Sequence, residues 1–145
     1  MGKIYERKLL KKARPMMADD EQVEVIAAAK VGSVRANAGR SLAVGVAVAV
    51  ATGGAGFGML VQAEAYFILT DRQVLMFQSD QGAPGKHLAT IPRQYAHPVD
   101  VRDGAFFLKF FLHVDGWQQM LKLTVPPMPP RLRKRGRLFI KSLGG

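Results

Sequence analysis

The sequence has no cysteine, a single tryptophan, and only 11 acidic residues against 21 basic ones. Without cysteine there is no disulfide framework and no thiolate metal site, which suits the cytosol. The three histidines, His87, His97 and His113, are isolated, and none pairs at helical metal-binding spacing with a carboxylate nearby. No lysine follows a glycine loop as a phosphate cradle requires. Gly53-Gly54-Ala55-Gly56-Phe57-Gly58 has Met59 where a dinucleotide fingerprint needs its third glycine, and no βαβ pattern surrounds it. No nucleophile and base are recognisable by spacing, so the chain reads as non-catalytic, with no cofactor and no metal. Two targeting signals are also missing. The apolar stretch lies too far from the N-terminus for a secretory signal, and Glu6 stands where myristoylation expects serine or threonine.

What is present begins with charge. Lys3, Arg7, Lys8, Lys11, Lys12 and Arg14 stand against the single acid Glu6, while Arg131, Arg133, Lys134, Arg135, Arg137 and Lys141 stand against none. The formal net charge of +10 therefore resides at the two ends, and the body between them is near neutral. Basic ends are attracted to anionic phospholipid, nucleic acid or acidic protein, and charge alone does not choose among these.

Periodicity supplies the architecture. Tyr5, Leu9, Ala13 and Met16 share a helical face that Pro15 terminates, making residues 1–18 a basic amphipathic N-terminal segment. From Asp19 onward Val23, Val25 and Ala27 alternate as in a strand, although Asp19 and Gln22 also resemble a capping box. Strands are expected near Ala65–Leu69, Val74–Gln78, Lys86–Ile91 and His97–Arg102, with a turn at Thr70–Gln73 and a longer loop at Gln81–Gly85. Phe106, Leu108, Phe110, Leu112 and Val114 alternate up to Asp115-Gly116, and Trp117, Leu121, Leu123 and Val125 alternate after it, a strong hairpin signal. Pro126, Pro127, Pro129 and Pro130 stop the ladder. Leu132, Gly136, Phe139, Ile140 and Leu143 then mark one face of a basic helix over 131–143.

Seven strands and a C-terminal helix resemble the pleckstrin-homology-like superfold, an orthogonal sandwich or partly open barrel capped by that helix. Phe67 to Phe77, with Thr70-Asp71-Arg72 at its centre, is similar to the strand–turn–strand of bacterial PH-like and GRAM-like domains, and Ile91-Pro92-Arg93 resembles the segment that often follows. The resemblance covers roughly Asp19 to Gly144 and implies a mainly β binding domain over 19–145. Phosphoinositide-binding members cluster basic residues around the loop joining their first two strands, where this sequence offers only Lys30, Arg35 and Arg40, widely spaced.

The stretch 41–63 fits none of the seven strands. It is uncharged between Arg40 and Glu64 and long enough to cross a hydrocarbon core of about 30 Å as a helix, yet rich in glycine and alanine. An interfacial or re-entrant insertion, with Val44, Val46, Val48, Val50, Phe57, Met59 and Leu60 entering lipid, leaves both basic clusters facing one leaflet. Alternation of the four valines equally fits a buried strand, and Gly54 with Gly58 suits close helix packing or self-association. The sequence thus leads to a membrane-associated binding domain on the cytoplasmic face of the membrane, peripheral or partly embedded. Lys8, Lys11, Lys12, Arg35, Arg40, Arg131, Arg133, Lys134, Arg135 and Arg137 are its expected lipid- or anion-binding residues. A protein-docking adaptor and a non-specific nucleic-acid binder acting through the basic ends are the alternatives.

Overall fold

The computed structural model describes residues 3–34, 62–117 and 120–144. Helix α1 (Lys3–Ala13) runs into a 3-10 turn at Arg14–Met16. The strands are β1 (Val23–Val34), β2 (Gln62–Thr70), β3 (Gln73–Asp80), β4 (Ala83–Pro92), β5 (Ala96–Asp103), β6 (Leu108–Val114) and β7 (Met120–Val125), and helix α2 (Pro130–Ser142) follows. The strands form one antiparallel sheet in the order β4-β3-β2-β1-β7-β6-β5. β1 pairs with β2 over Val23–Gly32 and with β7 over Lys30–Val34, so this one long strand belongs to both halves of the sheet.

Side-chain alternation divides the sheet into two faces. Val25, Ala27, Ala29, Val31, Phe67, Leu69, Val74, Met76, Leu108, Phe110, Leu112, Leu121 and Leu123 point into the main core. Helix α2 closes that core with Phe139, whose ring meets Phe67 edge-on at 5.8 Å and lies 6.2 Å from Phe110. Phe139 is 1% exposed, so its burial alone is worth about 1.5–3 kcal/mol. The helix approaches closely because residue 136 is glycine: a Cβ there would stand 2.9 Å from Leu108 Cδ2 and 3.1 Å from Val125 Cγ2.

The opposite face of β1–β3 carries a second apolar layer of Tyr66, Ile68, Leu75 and Phe77, and α1 covers it with Leu9 and Ala13, both fully buried. Of the apolar face expected from the sequence, Leu9 and Ala13 are thus spent inside the fold, whereas Met16 falls in the 3-10 turn and is exposed. Arg7, Lys8, Lys11, Lys12 and Arg14 remain exposed.

Several expected boundaries move: Phe106 and Trp117, expected within the last two alternating runs, lie before β6 and β7. The loop at 81–85 is a two-residue turn, because Gln81 (φ 53) and Gly82 (φ 91) both take left-handed conformations and Asp80 pairs with Ala83. A glutamine in that conformation carries no turn signature, so the strand start at Ala83 was hidden. Gln62 and Ala63, at the end of the apolar stretch, are already strand and pair with Gly32 and Val31. The remainder of that stretch, including Val44, Val46, Val48, Val50, Gly54, Phe57, Gly58, Met59 and Leu60, lies outside the described residues, as do Arg35 and Arg40.

Candidate functional site

The Thr70-Asp71-Arg72 turn is the centre of a polar network that ties the N-terminal segment to the sheet. Thr70 Oγ1 donates to Glu21 Oε2 at 2.5 Å and accepts from the N–H groups of Arg72 and Gln73, each at 3.0 Å. Glu21 Oε1 also accepts from the Ala18 N–H at 3.1 Å, and Oε2 from the Gln73 side-chain amide at 2.9 Å. Burial pushes the Glu21 carboxyl up, but the hydrogen bonds from Thr70, Ala18 and Gln73, with the nearby Arg72 charge, outweigh it and leave it below the usual glutamate range. Asp71 accepts from the Gln22 N–H through its side chain and donates to the Gln22 carbonyl through its backbone, while Arg72 pairs with Asp20 at 2.8 Å.

Arg93, of the Ile91-Pro92-Arg93 segment, extends this network to the far end of α2. Its guanidinium donates to the Thr70 carbonyl at 2.8 Å and the Ser142 carbonyl at 2.6 Å, and pairs with Glu24 at 2.8 Å. These groups border an open, polar cavity of about 620 Å³ lined by Asp71, Arg72, Arg93, Gln94, His97, Ser142 and Leu143. Its two arginines already hold carboxylates. The motifs that carried the family resemblance thus work as structural ties.

The C-terminal arginines are also largely engaged. Arg133 Nε and Nη2 reach Asp103 Oδ1 at 3.0 and 2.6 Å, and the same guanidinium donates to the Gly104 and Ala105 carbonyls. Arg137 Nε donates to Asp103 Oδ2 at 2.7 Å, and the Arg137 and Arg133 hydrogen bonds together hold the Asp103 carboxyl at about 2. Arg135 Nη1 lies 2.6 Å from Glu6 Oε1, an ion pair not aligned as a hydrogen bond, which joins α2 to α1. Of the five α2 cations expected to meet an anionic surface, Arg131 and Lys134 are exposed and make no ion pair among the described residues.

Pairing brings together another set that the sequence did not single out. Lys30 lies opposite Thr124, Thr124 opposite Lys109, and Lys109 opposite Arg102, so one transverse row crosses β1, β7, β6 and β5. The next row holds Gly32, Lys122, Phe111 and Val99. Lys30, Arg102, Lys109 and Lys122 are exposed. They lie on the outer face, away from the core, where α1 covers only the other half of the sheet. Alternation could have shown that Lys109 and Lys122 point outward; that they adjoin depends on register. Among the described residues no group of three or more His, Cys, Asp and Glu is placed to hold a metal ion, and no helix is long and apolar enough to cross a membrane.

No protein-family model and no curated protein matches the chain. Solved structures of Vav1 do. One, of Vav1 inhibited by an allosteric inhibitor, has a TM-score of 0.51 and 12% identity over 95% of this chain and 33% of that one. Another, on the structural role of the PH and C1 domains of the Vav1 exchange factor, has a TM-score of 0.50 and 14% identity over 94% of this chain and 32% of that one. This chain spans about a third of those chains, and the likeness at such identity concerns the fold. With seven antiparallel strands and a capping C-terminal helix, the fold is mainly β and PH-like.

Proposed function

We propose that this chain is a non-catalytic PH-like binding domain that associates with an anionic membrane surface on its cytoplasmic side. The observation that carries this reading is the place where the uncharged stretch joins the sheet. β1 ends at Val34 and β2 begins at Gln62, so the uncharged stretch leaves and rejoins the sheet at adjacent strand ends, with Lys122 opposite Gly32 beside that junction and Lys30, two residues further in, opposite Glu64. An apolar segment rooted at the edge of a face that carries Lys122, Lys109 and Arg102 suits an interfacial anchor. The exposed lysines of α1 and the exposed Arg131 and Lys134 of α2 add attraction of the same sign. The finer kinship, with bacterial GRAM-like domains, rests on the Phe67–Phe77 and Ile91–Arg93 sequences. An adaptor or a nucleic-acid binder would leave the uncharged stretch without a role.

Flotation of the intact chain with phosphatidylcholine vesicles, with and without phosphatidylglycerol, tests the proposal. Binding should require the anionic lipid and weaken as salt shortens the Debye length from about 10 Å at 0.1 M to about 3 Å at 1 M. Val48→Asp should weaken it further while leaving the unfolding transition in place. An intact chain that stays with the soluble fraction at low salt refutes the reading.

A further inference from the structure

The outer face of β5–β7 contains an arrangement that costs stability and that the fold does not need. Arg102 and Lys109 are direct cross-strand partners, and like charges so placed repel. A bulge in β5 creates the pair. Val99 faces Phe111 and Arg102 faces Lys109, so Asp100 and Val101 together oppose the single residue Phe110, and Asp100 sits at φ 50. In regular pairing position 101, not 102, would face Lys109. Asp100 Oδ1 lies 3.6 Å from Arg102 Nε, both side chains being half or more exposed, which offsets little of the repulsion. Lys122, diagonal to Lys109, adds a third cation around a shallow cavity of about 200 Å³ bordered by Asp100, Arg102, Lys109, Phe110, Phe111 and Lys122.

Beyond these cations the β5–β6 hairpin ends in Phe106, 71% exposed, and Phe107, 44% exposed. The tip is held firmly. Arg133 hydrogen-bonds the carboxylate of Asp103 and the carbonyls of Gly104 and Ala105, and the Gly104 N–H donates to the Phe107 carbonyl at 3.0 Å. Two large apolar side chains are therefore presented to solvent on a fixed hairpin beside a basic face, where apolar surface of this kind marks an interaction site.

We infer that this face is the surface that meets lipid, an anionic phosphate headgroup seating among Arg102, Lys109 and Lys122 while Phe106 and Phe107 enter the interfacial layer. The inference rests on the membrane reading above and assigns it a surface. Single-stranded nucleic acid also suits cations and aromatics, but stacking needs open ring faces set between the cations. Here Lys109 Nζ stands 5.6 Å from the Phe107 ring centroid, over its face, Phe111 is only partly exposed, and Phe106 lies at the tip. Phe106 and Phe107 lie at the opposite strand ends from Val34 and Gln62, so this face meets the interface lying flat, its cations on the headgroups and the two rings entering beside them.

The test compares flotation of the intact chain with two variants, Arg102→Gln/Lys109→Gln/Lys122→Gln and Phe106→Ser/Phe107→Ser, on phosphatidylcholine vesicles containing phosphatidylglycerol. A basic side chain at an anionic surface is worth a factor of about five, so the triple change should lower partitioning about a hundred-fold. The paired Phe change should lower it about ten-fold, since insertion buries only part of each ring. The paired Phe variant should keep the thermal transition of the parent, and the triple variant, relieved of the Arg102–Lys109 repulsion, should melt no lower. If the triple variant does not fold, Lys109→Gln and Lys122→Gln singly, each expected to lose about five-fold, decide the matter. Intact protein that floats while these variants float equally well overturns the inference and leaves the membrane reading standing. Intact protein that does not float overturns both. Retention of a single-stranded oligonucleotide through the same three cations, without flotation, gives the face to nucleic acid instead.

Discussion

Replacing Thr70 by valine exchanges its hydroxyl for a methyl group at the polar centre that ties the N-terminal segment to the sheet. The hydroxyl is fully buried, donates to the Glu21 carboxylate and accepts two turn N–H groups. A hydrogen bond to a charged group contributes about 1.5–3 kcal/mol, and a partly buried N–H left without an acceptor costs about 1 kcal/mol. Only Gln73 is counted for the second contribution, because Arg72 is exposed and water can reach its N–H. The expected destabilisation is about 2.5–4 kcal/mol, a large share of a stability that is typically about 5–15 kcal/mol. Urea titration followed by circular dichroism should show the midpoint falling with an unchanged slope, whereas Thr70→Ser, which keeps the hydroxyl, should stay within about 1 kcal/mol of the parent. The pH dependence follows from the same contacts. Glu21 has its carboxyl lowered in the fold, so it contributes stability above the unfolded value of 4.5 that is lost as pH falls through the folded value. Without Thr70 the burial penalty is less opposed, the folded value rises, and acid unfolding should begin at higher pH. A Thr70→Val protein as stable as the parent, or a serine variant as damaged as the valine one, would mean that the hydroxyl does not hold this centre together.

Gly136→Val should destabilise by about 1–3 kcal/mol through overpacking against Leu108 and Val125, measured by thermal melting, with Gly136→Ala milder because alanine regains up to about 1 kcal/mol of helix propensity. Arg93→Met should speed amide exchange at Leu143 and Gly144 more than elsewhere, since it frees the Ser142 carbonyl and leaves Glu24 unpaired. The Asp103 carboxyl, lowered from 3.8 to about 2, supports the α2–hairpin contact above pH 3.8 and loses that support as pH falls toward about 2. Acid titration of the Phe106 and Phe107 ring signals by NMR should show this step, and Asp103→Asn should abolish it.

The order of elements was legible from local patterning. Period-two alternation placed β6 and β7, since Leu108, Phe110, Leu112, Leu121 and Leu123 had to share a core face whatever lay across from them. The proline run and the apolar stripe of Leu132, Gly136, Phe139 and Ile140 did the same for α2. These are local signals, set by backbone geometry and the need to bury apolar area. The candidate site was legible only in part. Lys109 and Lys122 could be assigned outward from alternation, but their meeting with Arg102 depends on strand pairing, and the bulge at Asp100 that turns Arg102 onto the face left no local signature. The charge run of α2 misleads for the same reason. Arg133 and Arg137 find Asp103 30 and 34 residues away, and Arg135 finds Glu6 on the other helix. Net charge can be counted along a chain, but which charges remain free is decided by through-space distance, and only the tertiary structure fixes that.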